Sequence, residues 1–129
     1  MDTRASIEAI LDKAYDARRR SDAEAAAACF CEDGCFMANG APGGTKNRSE
    51  QVTALKQVFA NFTLVEFQQY CWVIDPPRAV VHWRGKFRAP NGRVGDTDVL
   101  DLIEVRDGRI ASLTTFYDTA YAMNLAAPG

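Results

Sequence analysis

The chain has 129 residues, a length that at roughly 100–200 residues per domain allows one domain, residues 1–129, and no separate cofactor-binding module. Apolar residues make up 47% and charged residues 25%, ordinary globular usage, so the chain can bury a core and a disordered chain is excluded. Fifteen Lys and Arg against seventeen Asp and Glu give a formal charge of −2, which supplies no electrostatic footprint for nucleic acid.

The longest apolar run, Ala25 to Cys31, falls far short of the ~20 residues a membrane-spanning helix needs. The start, Met1-Asp2-Thr3-Arg4, lacks the basic-then-apolar order of a secretory signal. A cytoplasmic protein with no membrane or nucleic-acid partner is expected.

From Ser6 to Arg19, Ile7, Ile10, Leu11, Ala14 and Tyr15 fall at the spacing of one helical face, which predicts an amphipathic helix. Arg18-Arg19-Arg20 closes it, where basic side chains complement the helix dipole and stay solvated. Asp22 is placed to cap a second, short helix from Ala23 to Phe30. Cys29, Cys31 and Cys35 lie close in sequence, but with Cys71 the only other cysteine and one histidine in the chain, buried free thiols are expected rather than a zinc site. Asp33-Gly34 turns into a brief strand, Cys35 to Ala38, and the Gly- and Pro-containing stretch from Asn39 to Lys46 reads as a loop. Its spacing does not fit a phosphate-binding loop, so no nucleotide is implied.

Ser49, as cap, followed by Glu50, Val52, Leu55, Phe59 and Phe62 predicts a third helix. Extended segments follow over Thr63 to Ile74, Ala79 to Arg88, Val94 to Val105 and Ile110 to Tyr117. They are separated by Asp75-Pro76-Pro77, Pro90-Asn91-Gly92 and Asp107-Gly108, turn chemistry that makes neighbouring strands antiparallel. The tail from Ala120 is small and apolar, with Tyr121, Met123 and Leu125 available to cover an open end of the sheet or a partner. Helices at the front and an antiparallel meander behind define an α+β domain.

This order of elements, with Arg20-Ser21-Asp22 between the first helices, Phe30-Cys31-Glu32-Asp33-Gly34 before the first strand, Arg106-Asp107-Gly108-Arg109-Ile110 at the last hairpin and Phe116-Tyr117-Asp118 after it, resembles the SnoaL-like branch of the nuclear transport factor 2 and ketosteroid isomerase superfamily. The resemblance covers nearly the whole chain. It implies a curved antiparallel sheet wrapped around three helices, a nuclear transport factor 2-like cone with a deep apolar pocket. It further implies a homodimer through the outer sheet face, no cofactor and no metal, with lining side chains supplying acid and base.

Three residues are candidates for that chemistry. Asp101, in Val99-Leu100-Asp101-Leu102-Ile103, shares a strand face with Val99, Ile103 and Val105. On an interior face, burial would raise its pKa and make it a proton donor or the partner of a histidine; otherwise Leu100 and Leu102 form the core and Asp101 is solvated. By resemblance its position matches the carboxylic acid in the oxyanion hole of ketosteroid isomerases, a known case of a carboxyl kept neutral by its site. His82 is the single histidine, and a reference pKa of about 6.5 suits general acid or base work. Superfamily dehydratases of the scytalone type use a histidine on the equivalent strand, and Tyr15-Asp16 resembles their Tyr-Asp pair. In the alternative, Val81, Trp83 and Phe87 fill the core while His82, Arg84 and Lys86 face out. Tyr15 continues the apolar stripe of the first helix, and its hydroxyl could donate to a developing oxyanion.

Other templates fit less well. Ala14 and Ala38 fall where ketosteroid isomerases carry their tyrosine and proton-shuttling aspartate, while Lys86 and Thr115 stand where epoxide hydrolases carry carboxylates around an arginine that Arg84 could supply. Asn39, Phe59, Phe62, Trp83, Arg84, Thr115 and Tyr117 are the expected substrate-binding residues, with Trp72 an alternative aromatic wall. The expected function is cofactor-independent acid/base catalysis, of dehydratase, isomerase or cyclase type, on a hydrophobic polyketide, steroid or terpenoid, with His82 as base, Asp101 orienting it and Tyr15 as donor. The alternative is a non-catalytic ligand-binding or dimeric assembly domain. His82 and Asp101 in one cavity would favour catalysis, and opposite faces would favour binding.

Overall fold

A computed structural model describes residues 1–39 and 43–128. Residues 40–42 of the expected loop lie outside this description. Helix α1 (Arg4–Arg19) starts in a reciprocal cap in which Ser6 N donates to Thr3 Oγ1 and Thr3 N to Ser6 Oγ. It buries Ile7, Ile10, Leu11 and Tyr15, the expected stripe. The helix closes with Asp22 N donating to Ala17 O and Ser21 N to Arg18 O, and Ser21 sits in the left-handed region at φ 53°. That reversal lets the Asp22 side chain accept from Ala25 N and cap α2 (Ala23–Ala28).

Phe30 belongs to strand β1 (Phe30–Ala38), which is longer than the expected Cys35–Ala38 and begins where α2 was expected to continue. β1 pairs with the last strand at Phe30↔Ile110 and again at Cys35↔Ser112, so the residues between form a bulge. Gln51 from α3 (Arg48–Asn61) fills it. Its side chain is fully buried, and Nε2 donates to the carbonyls of Cys31, Glu32 and Gly34 while Oε1 accepts from Arg48 Nη1. The bulge's freed acceptors are thereby satisfied. Asn47, not Ser49, caps α3, its Oδ1 accepting from Glu50 N at 2.9 Å.

Strands β2 (Thr63–Asp75), β3 (Arg78–Arg88), β4 (Val94–Arg106) and β5 (Arg109–Phe116) form the expected antiparallel meander. Asp107 and Gly108 have φ of 52° and 75°, the paired positive values of a tight hairpin turn. β1 joins β5 in parallel, which makes the open sheet mixed, in the order β1-β5-β4-β3-β2. A parallel neighbour requires a long crossover, and α3 with the meander provides it. The sheet wraps around the three leading helices. A fourth helix, α4 (Thr119–Ala126), which the tail's composition did not suggest, is capped by Asp118 Oδ1 accepting from Tyr121 N.

Alternation assigns the faces. Ala79, Val81, Trp83 and Phe87 of β3, and Val99, Asp101, Ile103 and Val105 of β4, are buried against the helices. Leu100 and Leu102 are exposed on the other face. All four cysteines are free: Cys29 and Cys31 are buried as expected, Cys35 is half-buried, and Cys71 is exposed on β2. Among the described residues, no helix is long and apolar enough to cross a membrane.

Candidate functional site

A cavity of about 830 Å³ lies between the helix-facing side of the sheet and α1, α3 and α4. Ala14, Phe36, Leu55, Val58, Phe59, Phe62, Phe87, Val99, Leu113 and Leu125 contribute to a largely apolar wall. Such a lining binds apolar ligands and magnifies the effect of the few polar groups within it.

Asp101 is the central one. At 4% exposure it is a carboxyl taken out of water. Its Oδ2 accepts from the Tyr15 hydroxyl at 2.5 Å and from Trp83 Nε1 at 2.9 Å. Its Oδ1 has no hydrogen-bond partner among the described residues. Burial pushes the Asp101 carboxyl above the usual carboxylate range, against the opposing influence of Tyr15, of the cross-strand Thr115 hydroxyl, of Trp83 and of the more distant Arg18 charge. Burial likewise drives the Tyr15 hydroxyl well above its ordinary range, reinforced by the Asp101 charge, so Tyr15 is a fixed donor rather than an acid. Trp83 is itself held by Phe67, stacked at 5.1 Å between ring centroids.

Sequence alternation grouped Asp101 with Val99, Ile103 and Val105 and left open whether that face was interior; the structure buries it, while the apolar stripe of α1 predicted the inward Tyr15. The Tyr15–Asp101 contact joins residues 86 positions apart, and no local pattern encodes it. Phe59, Phe62, Trp83, Thr115 and Tyr117 also line the cavity, as expected.

Four of the positions named from sequence lie elsewhere. His82 projects from the opposite side of β3, where Nε2 lies 3.2 Å from Asp98 Oδ1 and the ring packs against Tyr70. The anticipated His82–Asp101 pair is therefore corrected: Val81, not His82, stands beside Asp101 in the sheet register, and one residue of strand parity separates the two faces. Arg84 shares that outer face and donates to Asp98 Oδ2 at 3.0 Å. Asn39 is exposed and outside the cavity wall, its amide 3.5 Å from Tyr117 O. Trp72 packs against the core without lining the cavity.

One cavity residue contradicts its sequence reading. Arg18, expected to be solvated with its neighbours, lies one turn beyond Tyr15 on the same helix face and lines the cavity. Its guanidinium stands 4.3 Å over the Phe59 ring and 5.7 Å from that of Phe87. Spacing from Ile7, Leu11 and Tyr15 could have revealed this, but the local run of three arginines obscured it.

The chain belongs to the SnoaL-like domain family, whose model matches residues 11–113. No protein of curated function matches it. Among solved structures, a candidate SnoaL-like polyketide cyclase from Jannaschia sp. CCS1 superposes with a TM-score of 0.84 at 14% identity, covering 100% of this chain and 99% of that one. A candidate isomerase from Bacillus subtilis gives 0.85 at 14% identity, covering 98% of both chains. A nuclear transport factor 2-like protein of unknown function from Burkholderia pseudomallei gives 0.82 at 18% identity, covering 95% of this chain and 98% of that one. At these identities the likeness establishes the nuclear transport factor 2-like, ketosteroid isomerase-like fold.

Proposed function

We propose that this chain is a cofactor-independent acid/base enzyme of dehydratase, isomerase or cyclase type, acting on a hydrophobic small molecule such as a polyketide, steroid or terpenoid, with Asp101 rather than His82 as the proton carrier. One observation carries the reading: Asp101 lines a large apolar cavity with Oδ2 occupied by two donors and Oδ1 unpartnered. Tyr15 and Trp83 fix the carboxyl plane, and burial makes its ionised form a stronger base than a solvated carboxylate. Oδ1 would take a proton from carbon adjacent to a substrate carbonyl. The same proton would return to a second carbon in isomerisation, or to a departing hydroxyl, released as water, in dehydration.

The test is deuterium exchange and turnover of cyclic enones and β-hydroxy ketones, followed by NMR in D₂O. Asp101→Asn is expected to lower the rate by about 10²–10⁴-fold, the usual worth of a positioned acid/base group. His82→Gln is expected to leave the rate unchanged.

A second reading, ligand binding without turnover, is favoured by the outer position of His82 and by Ala38 on the cavity wall where the related isomerases carry a carboxylate. Bound compounds that undergo neither exchange nor conversion would select it. We also propose self-association through the outer sheet face, where Tyr70, Leu100, Leu102 and Phe116 are each at least 39% exposed.

A further inference from the structure

We infer that the cavity takes an amphipathic organic acid, the ligand's carboxylate being held by the Arg18 guanidinium while its apolar body fills the remaining space. This deepens the cavity reading above and rests on it. Arg18 offers five N–H donors. Among the described residues, Nη2 reaches only Phe62 O, at 3.4 Å, and the enclosed Nη1 has no hydrogen-bond partner. No carboxylate among the described residues lies within ion-pair distance of it. The cation is positioned by the faces of Phe59 and Phe87, which hold the charge without satisfying its donors.

The other charges on the wall do not compensate it. Glu50 is engaged at the start of α3, its Oε1 accepting from Lys46 N at 2.8 Å and its Oε2 from Asn47 Nδ2 at 3.5 Å. The Asp101 charge favours the Arg18 cation but lies beyond ion-pair distance and leaves its donors open. Arg18, lowered to about 10 by its own burial, stays cationic at neutral pH. An enclosed cation with an open donor is costly unless an anion meets it, and the guanidinium fork matches a carboxylate in shape.

Isothermal titration calorimetry with 2-naphthoate and its neutral isostere 2-naphthamide tests this. The wild-type protein is expected to prefer 2-naphthoate by about tenfold or more, the worth of a charge-assisted hydrogen bond. Arg18→Met, which retains an apolar stem against Phe59 and Phe87, should abolish that preference while leaving 2-naphthamide affinity within about threefold, as expected when packing is kept. Retained amide binding also reports that the variant is folded. Equal wild-type affinities for the two probes would overturn the inference and leave the cavity reading intact. Binding of neither probe would overturn both. A preference that survives Arg18→Met and disappears in Lys46→Met would assign the anion contact to Lys46 and overturn the role of Arg18.

Discussion

Asp101 and His82 sit on adjacent strands, yet strand parity gives them different environments. Val81 pairs with Asp101 on the buried side, and His82 pairs with Leu100 on the exposed side. Burial shifts the Asp101 carboxyl, and this has a measurable consequence for stability. Because burial raises the Asp101 pKa in the folded state, folded protein keeps this proton over a pH window in which the unfolded chain has released it. The contribution is full below the unfolded value of about 3.9 and is lost as pH rises through the folded value. Asp101→Asn mimics the neutral acid and lacks that loss. Its melting temperature relative to wild type should therefore rise with pH between pH 4 and 8, measured by thermal denaturation; a constant difference would show that burial does not shift Asp101. Tyr15→Phe removes one of the two Oδ2 donors and should destabilise the fold by about 1–3 kcal/mol. His82→Gln, at a 38% exposed side chain in a surface hydrogen bond to Asp98, should cost less than about 0.5 kcal/mol.

At the scale of elements, two junctions place the site. The first is the break between α1 and α2, where Ser21 adopts a left-handed conformation that costs a residue with a Cβ about 1–2 kcal/mol. Ser21→Gly should recover about 1 kcal/mol, seen as a rise in melting temperature of about 4 °C. A fall instead would mean that added freedom in the unfolded chain outweighs the relieved strain. The second junction is the β1 bulge. Gln51→Leu would leave the carbonyls of Cys31 and Glu32 without their buried donor, and that of Gly34 with the Thr45 hydroxyl alone, and should destabilise by about 2–4 kcal/mol in a urea titration. The helix breaks and hairpin turns were legible because caps and Asp-Gly are local signals. The extra length of β1 was not, because a strand interrupted by a bulge has no clean alternation and its parallel partner lies some eighty residues away.

Across the whole molecule, one sheet has two kinds of face. The helix-facing side carries the cavity, and the other presents Tyr70, Leu100, Leu102 and Phe116 beside the ion-paired group His82, Arg84 and Asp98. Leu100 pairs with both His82 and Phe116 in register, so the apolar positions are contiguous. If this face associates two copies, sedimentation should give twice the chain mass for wild type and the single-chain mass for the double variant L100K/L102K. A monomeric wild type would remove the proposal. The variant should keep its cavity, since the substituted side chains already face solvent.

The sequence by itself determined the four-strand meander, the apolar stripe of α1 and the family resemblance, because caps, turns and hydrophobic period act over a few residues. It also placed the Tyr15 ring inward by the helical period and grouped Asp101 with Val99, Ile103 and Val105, leaving open which strand face was the interior. The tertiary structure alone decided that Tyr15 and Trp83 meet on one oxygen of Asp101, that His82 falls on the other face, and that Arg18 enters the cavity. Those outcomes depend on how α1 lies across the sheet and on the parity of β3 against β4. Neither is written in any one segment, since packing sets both only when the segments bury their apolar faces together.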